Sequence, residues 1–164
     1  MPFYTTSSKV GVDLNNAGTT QLFALGDSVA GTGKSRWVYA QAATSVTAYK
    51  VVAISTGGTC GMASGTDVLG GLLLGVAQTA IPASSYAWIP VEGGPFGVMT
   101  TGSCSVGALV YIAASSTPTG IVSISASGSC TMLGIALVAV VDTANASVAT
   151  CVLTYPTPKS PGGL

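Results

Sequence analysis

The sequence predicts an all-β protein, in the form of a compact β-barrel or β-sandwich of roughly ten short strands. Two observations support this prediction. Apolar and polar side chains alternate with a period of two in several segments, and Gly, Pro, Ser and Thr separate those segments. No window of about a dozen residues has a helical apolar stripe, and the best helical candidate is one short turn at 66–69.

The 164 residues suggest one domain with a sizeable core and two dissimilar ends. Residues 1–20 are polar with sparse apolar side chains, and we expect them to form an extended N-terminal arm. Residues 21–156 form the predicted β-barrel or β-sandwich. Residues 157–164 form a tail rich in Pro and Gly, which we expect to be extended.

The alternation is clearest in RWVYAQA at 36–42, which places Trp37 and Tyr39 on one face and Val38 and Ala40 on the other. Further strands are predicted in VTAYKVVAIS (46–55), YAWIPVEG (86–93), GIVSISASGS (120–129) and SVATCVLTYP (147–156).

Two pairs of segments resemble each other at a spacing of about 60 residues, in the same order. LGVAQTAI at 74–81 resembles LGIALVAV at 133–140, and SVTAYKVVAI at 45–54 resembles SVGALVYIAA at 105–114. Either a strand unit was duplicated, or apolar, Gly-rich strands resemble each other by coincidence. Both interpretations stay open from sequence alone.

Charged residues make up only 6% of the chain, against about 25% in typical soluble proteins. The five basic residues do not form the patch that nucleic-acid binding requires. There is no histidine, and the five acidic residues are far apart in the sequence, which argues against acid–base catalysis. Because a net charge of zero favours association, we expect partner chains to cover much of the surface.

The longest apolar runs, at 72–77 and 133–141, are too short to span a bilayer, which takes about 20 residues. The N-terminus has no basic-then-apolar signal region. We therefore expect a product made in the cytoplasm, with no membrane partner.

The four cysteines, Cys60, Cys104, Cys130 and Cys151, contain no CxxC pair. Without histidine, a zinc site would need all four thiolates. The sequence instead favours buried, reduced thiols. We predict no catalytic residue, no metal site and no cofactor, and so no enzyme.

The segment GTGKS at 31–35 resembles the end of a phosphate-binding loop. Gly33, Lys34 and Ser35 fit that pattern, but Ser28 stands where its first glycine belongs. A phosphate loop must also open a helix, whereas the alternating residues at 36–42 predict a strand. We therefore predict a hairpin, with strands at 21–25 and 36–42. Likewise LVAVVD at 137–142 is interpreted as a buried strand that ends in a turn.

Residues 22–156 resemble the small capsid decoration, or cement, proteins of tailed bacteriophages. The similar segments are LFALGDSVAGTGKSRWVYAQA, VTAYKVVAI, LLGVAQTAIPASSYAWIPVEG, GALVYIA and LGIALVAVV followed by VATCVLTYP. The resemblance implies a homotrimer on the outside of the head, at three-fold and quasi-three-fold positions between major capsid proteins. It implies a mechanical role, stabilising the shell of the virion. On this basis the arm residues Phe3, Tyr4, Val10, Val12 and Leu14 are the candidate capsid or trimer contacts.

Two alternatives stay open. Low charge and short strands also occur in other phage components, such as tail or fibre modules. A glycan-binding β domain could use the aromatic residues Trp37, Tyr39, Tyr86 and Trp88 as a stacking platform. The competing interpretation of these four residues is that they anchor the core or an interface.

Overall fold

The computed structural model describes residues 12–64, 67, 72–101, 109–112, 119–123, 131–139 and 147–154. These residues form ten strands and one short 3-10 turn, which confirms the predicted all-β class. The strands are β1 (Ser28–Ala30), β2 (Arg36–Ala42), β3 (Val51–Ile54), β4 (Thr59–Met62), β5 (Leu73–Val76), β6 (Tyr86–Thr100), β7 (Leu109–Ile112), β8 (Val122–Ser123), β9 (Thr131–Ala139) and β10 (Ser147–Thr154). Of the helical turn predicted at 66–69, all but Asp67 lies outside the described residues.

The strands make one mixed sheet in the order β10-β9-β7-β8-β6-β2-β4-β3-β5, with β1 paired to β2. A further pairing joins β10 to β6, so the C-terminal strands return to the long central strand. No pairing among the described residues joins β5 to β10. The sheet as a whole therefore does not close into the barrel that was one form of the prediction.

The pairing pattern of the first half recurs in the second half. In the first half, β2 is parallel to β4 and antiparallel to β6, and β3 is antiparallel to both β4 and β5. In the second half, β6 is parallel to β8 and antiparallel to β10, and β7 is antiparallel to both β8 and β9. We call β2–β5 with 86–92 of β6 the first repeat. The second repeat is 93–100 of β6 with β7–β10.

The register of the two repeats also corresponds, with a shift of about 60 residues. The matched cross-strand pairs are Trp37–Pro90 with Gly97–Thr150, Val38–Ile89 with Val98–Ala149, Tyr39–Trp88 with Met99–Val148, and Ala40–Ala87 with Thr100–Ser147. Apolar composition alone would not produce the same pairings in the same register. The structure therefore contains one strand unit twice, in the order in which the two pairs of sequence segments resemble each other.

Both faces of the central strands are buried, because strand side chains alternate between faces and each face has its own apolar cluster. The first cluster includes Trp37, Tyr39, Trp88, Phe96 and Val98. The second cluster includes Val38, Ala40, Ala42, Ile89 and Val91. The alternation predicted for 36–42 is therefore confirmed, including which residues share a face.

The predicted strand at 46–55 is shorter in the structure, where β3 begins only at Val51. Tyr49 interrupts the extended backbone with a φ of 65°. Its carbonyl oxygen accepts a hydrogen bond from the Met99 N–H at 2.7 Å, and its own N–H donates to the Ala77 oxygen at 2.6 Å. This bend therefore ties the 46–50 connection to the edge of β6.

Candidate functional site

The GTGKS segment forms the turn of a hairpin between β1 and β2, which are antiparallel. Thr32–Lys34 make a single 3-10 turn that contains a non-helical Gly33, and β2 follows directly. The predicted hairpin is confirmed for its second strand. The predicted first strand at 21–25 is wrong, since Ser28–Ala30 pair with β2 instead. Phe23 packs against aromatic rings of the core, which explains the apolar pattern of 21–25 without a strand.

Polar groups of this turn form hydrogen bonds within the hairpin, whereas the corresponding groups of a phosphate loop bind the phosphates and magnesium. The N–H of Gly31 donates to the Ser35 oxygen at 2.8 Å. The Ser35 hydroxyl donates to the Thr32 oxygen at 2.7 Å and accepts the Trp37 indole N–H at 3.0 Å, and Ser35 is 2% exposed. In a phosphate loop that hydroxyl would ligand magnesium, and the loop N–H groups would surround the phosphates. Here the Ser35 hydroxyl fixes the indole ring instead.

An open depression of about 520 Å³ is lined by residues 28–36 of this turn. Lys34 and Arg36 are exposed, and Arg36 lies opposite Glu92 in the β2–β6 ladder. Lys34 itself has a left-handed backbone, with a φ of 59°. The turn therefore presents two cations on a hairpin, but no α-helix N-terminus among the described residues faces the depression.

The four aromatic residues proposed as a stacking platform belong to the core. Trp37, Tyr39 and Trp88 are all 4% exposed or less, and Tyr86 is half-buried with its ring stacked on that of Tyr39 at 6.0 Å. Phe23 lies 5.3 Å from Tyr39 and 5.2 Å from Trp88. The buried rings of Trp37, Tyr39 and Trp88 offer no free flat face to a sugar, so the interpretation as core anchors is favoured for these three residues.

The two cysteines in the described residues are buried free thiols. Burial raises the pKa of the Cys60 thiol to about 11 and that of the Cys151 thiol to about 12. A neutral, inaccessible thiol is a poor nucleophile. Cys104 and Cys130 lie outside the described residues, as do Phe3, Tyr4 and Val10.

The other two candidate arm residues pack on the chain's own body. Leu14 is 1% exposed in the first cluster, and Val12 packs against that cluster. Gly18, a few residues further along the chain, forms an antiparallel β-bridge with Tyr86. The Gly18 N–H donates to the Tyr86 oxygen, and the Gly18 oxygen accepts the Tyr86 N–H. Whether residues 1–11 contact a second protein stays a prediction.

Sequence reasoning missed the exposed apolar side chains. In the described part of the chain, the large apolar residues that remain exposed are Leu22 at 73%, Val148 at 37% and Tyr49 at 36%. It also missed Gln78, whose amide donates to the Gly97 oxygen and accepts the Gly97 N–H, both at 3.0 Å. No local pattern marks such contacts, because their partners are distant in the sequence.

Comparison with known proteins adds no relative: no protein-family model and no curated protein sequence matches the chain. Among the described residues, no group of three or more potential metal-ligating side chains lies together. Within the same residues, no helix has the length and apolar character needed to cross a membrane.

Proposed function

We propose that this chain is a non-enzymatic structural protein of a tailed-phage virion, which binds the outside of the head between major capsid proteins and stabilises the shell. The sequence resemblance over residues 22–156 suggests this role. In the proposed assembly the chain is made in the host cytoplasm, forms a homotrimer, and binds neither nucleic acid nor membrane.

The observation that carries the proposal is which kinds of side chain are buried and which are exposed. Among the described residues, the rings of Trp37, Trp88 and Phe96 and both thiols are buried in the core, while the exposed positions are rich in Ser, Thr and Gly and have few charges. A surface with few charges costs little to desolvate when a neighbouring protein covers it. Such an exterior suits permanent contact with other chains.

The architecture is also appropriate for a mechanical role. Residues of β6 belong to both repeats, and the ladders on β6 run to β2 on one side and β10 on the other. Close-packed interiors of this kind have low compressibility. A clamp between capsomers must transmit strain in this way and must not yield to the pressure of packaged DNA.

The experiment is a binding and rupture assay with heads of the phage that encodes the chain, assembled without it. We expect purified protein to co-sediment with these heads, to saturate, and to raise the temperature at which they release DNA. Heads that already carry the protein are the matched control and should take up none. Binding to isolated tails alone would favour a tail or fibre module, and specific binding on a glycan array without head binding would favour a sugar-binding domain.

A further inference from the structure

The strands of the second repeat form a closed circuit of pairings, which we call the second ring. Ladders run from β6 to β10, from β10 to β9, from β9 to β7, from β7 to β8, and from β8 back to β6. Each strand of this ring therefore has two hydrogen-bonded neighbours.

The corresponding circuit of the first repeat, the first ring, is interrupted at one place. Ladders run from β6 to β2, then to β4, β3 and β5. No ladder joins β5 back to β6, although the two strands touch where Gly75 meets Ile89 and Pro90. Residues 72–101 are described without a gap, so both strands are complete and no other segment lies between them at this contact. We call this contact the seam.

Pro90 explains why the seam has no ladder. The Ala42 N–H donates to the Ser85 oxygen at 2.8 Å, so by alternation the odd-numbered residues of 85–90 turn their backbone groups to β2, and Pro90 faces the opposite edge. A Cβ at Gly75 would lie 2.7 Å from the Pro90 oxygen, so that edge faces β5. Because proline has no N–H, it cannot donate the hydrogen bond that a ladder would need here.

The backbone groups of Leu74 and Val76 face the seam from the side of β5. The Ala77 N–H donates to the Lys50 oxygen at 2.9 Å, so the odd-numbered residues of β5 face β3 and the even-numbered ones face β6. Leu74 and Val76 are both 0% exposed. Water therefore reaches their N–H groups only when β5 moves away from β6.

The C-terminal end of β5 is fixed to β6 by Gln78. The Gln78 side-chain amide donates to the Val76 oxygen at 3.1 Å and to the Gly97 oxygen at 3.0 Å, and it accepts the Gly97 N–H at 3.0 Å. The Tyr49 backbone adds a second link at this end, between β6 and the residue after β5. These hydrogen bonds mark a fixed point about which the rest of β5 can turn.

We propose that β5 is a movable strand, which swings away from β6 about the Gln78 link while it keeps its ladder to β3 and the second ring stays closed. A strand held by one ladder gives up fewer hydrogen bonds than a strand held by two, and such units open locally without global unfolding. The ladders from β6 to β2 and β10 do not include the seam, so they stay in place. The first repeat can thus change its cross-section and admit water beside Ile89. This motion does not depend on the proposed role on a phage head.

Native-state hydrogen exchange of the full chain tests the opening, with the Val98 amide as the reference in the second ring. The Gly97 N–H donates to Gln78, away from β10, so by alternation the Val98 N–H belongs to the β6–β10 ladder. We expect the protection factors of Leu74 and Val76 to be at least about tenfold lower than that of Val98. They should also respond less to low urea concentrations, because local opening exposes less surface than unfolding. Equal protection and equal urea dependence at all three would overturn the inference.

The variant Gly75→Ala tests whether the exchange occurs through the seam. The added methyl group clashes with β6 in the closed state, and both seam opening and global unfolding relieve that clash. We therefore expect the protection factors of Leu74, Val76 and Val98 to fall together, by about fivefold or more. The control Gly61→Ala should lower none of the three. A fall at Val98 alone, or no fall at any of the three, would show that exchange does not separate Gly75 from β6 and would overturn the inference.

Discussion

A single added methyl group on β5 should destabilise the protein, because Gly75 is where this strand meets the central strand. A Cβ atom at Gly75 would lie 2.5 Å from Cγ2 of Ile89 and 2.7 Å from the carbonyl oxygen of Pro90. Real Cβ contacts are essentially never under 3.0 Å. The Ile89 side chain can adjust, but the Pro90 oxygen belongs to the backbone of β6. The substitution Gly75→Ala therefore forces β5 and β6 apart.

The strands must separate by about 0.7 Å before the contact with the Pro90 oxygen becomes ordinary. Overpacking of this kind costs about 1–3 kcal/mol. For a chain of this length each kcal/mol lowers the Tm by about 2–4 °C, so we expect Gly75→Ala to melt roughly 2–12 °C below the wild type.

The matched control is Gly61→Ala on β4, where the nearest atom, Thr44 Oγ1, is 3.9 Å from the new Cβ. Alanine is favoured over glycine in a strand by about 0.5–1 kcal/mol, so this variant should melt at or above the wild-type temperature. Calorimetry and urea unfolding measure both variants. If Gly75→Ala is as stable as Gly61→Ala, β5 does not pack on β6 as described.

Three other predictions follow from buried polar groups and from the turn. Burial raises the pKa of the Cys60 thiol to about 11 and of the Cys151 thiol to about 12, from a usual value of 9.0, so the stability given by the neutral thiols is present below pH 9 and lost as the pH rises through 9–12. The free energy of unfolding, measured with urea, should therefore fall more steeply from pH 9 to 11 in the wild type than in the double variant Cys60→Ala/Cys151→Ala. Equal pH dependence in the two proteins would contradict the burial of the thiols. Gln78→Leu should lower the free energy of unfolding by about 1–3 kcal/mol, because two backbone groups of β6 lose their partner. Gln21→Leu, at an exposed site, should change it by less than about 0.5 kcal/mol, and similar losses in both would contradict the role of Gln78. Calorimetry with ATP or GTP should detect no binding to the wild type or to Lys34→Ala, and binding that depends on Lys34 would restore the phosphate-loop hypothesis.

The strands could be predicted where each face of the strand meets its own apolar cluster. In β2, the alternation of Trp37 and Tyr39 with Val38 and Ala40 reports burial on two faces, and the structure places them so. The sequence could also predict that the turn at 31–35 is not a phosphate-binding loop. The side chains after Ser35 alternate between two faces with a period of two, which predicts a strand and not the start of a helix.

The rest depends on contacts between residues that are distant in the sequence. The apolar pattern of 21–25 resembled a strand, but Phe23 fills a gap between two rings of the core. The left-handed backbone of Tyr49 occurs where its carbonyl oxygen accepts a hydrogen bond from Met99 of β6, a contact between distant residues. Similar segments at a spacing of about 60 residues suggested a repeated strand unit, and the recurring strand pairings with their matched registers on β6 show that unit.

The candidate site was the least predictable part. The sequence indicated the arm residues by their sparse apolar pattern, but it did not show that Leu14 belongs to the chain's own core. The pairing of Met99 with Val148 could not be found without the strand register, because the two residues are far apart in the chain and have no local motif.

The most direct test of the central claim is the copy number of this chain in purified virions, measured by quantitative mass spectrometry against the major capsid protein. Trimers on every three-fold and quasi-three-fold position give about one copy per capsid protein, and that ratio is the expected result. A chain that is absent from the particles, or present only in the tail fraction at a few copies per virion, would contradict the account.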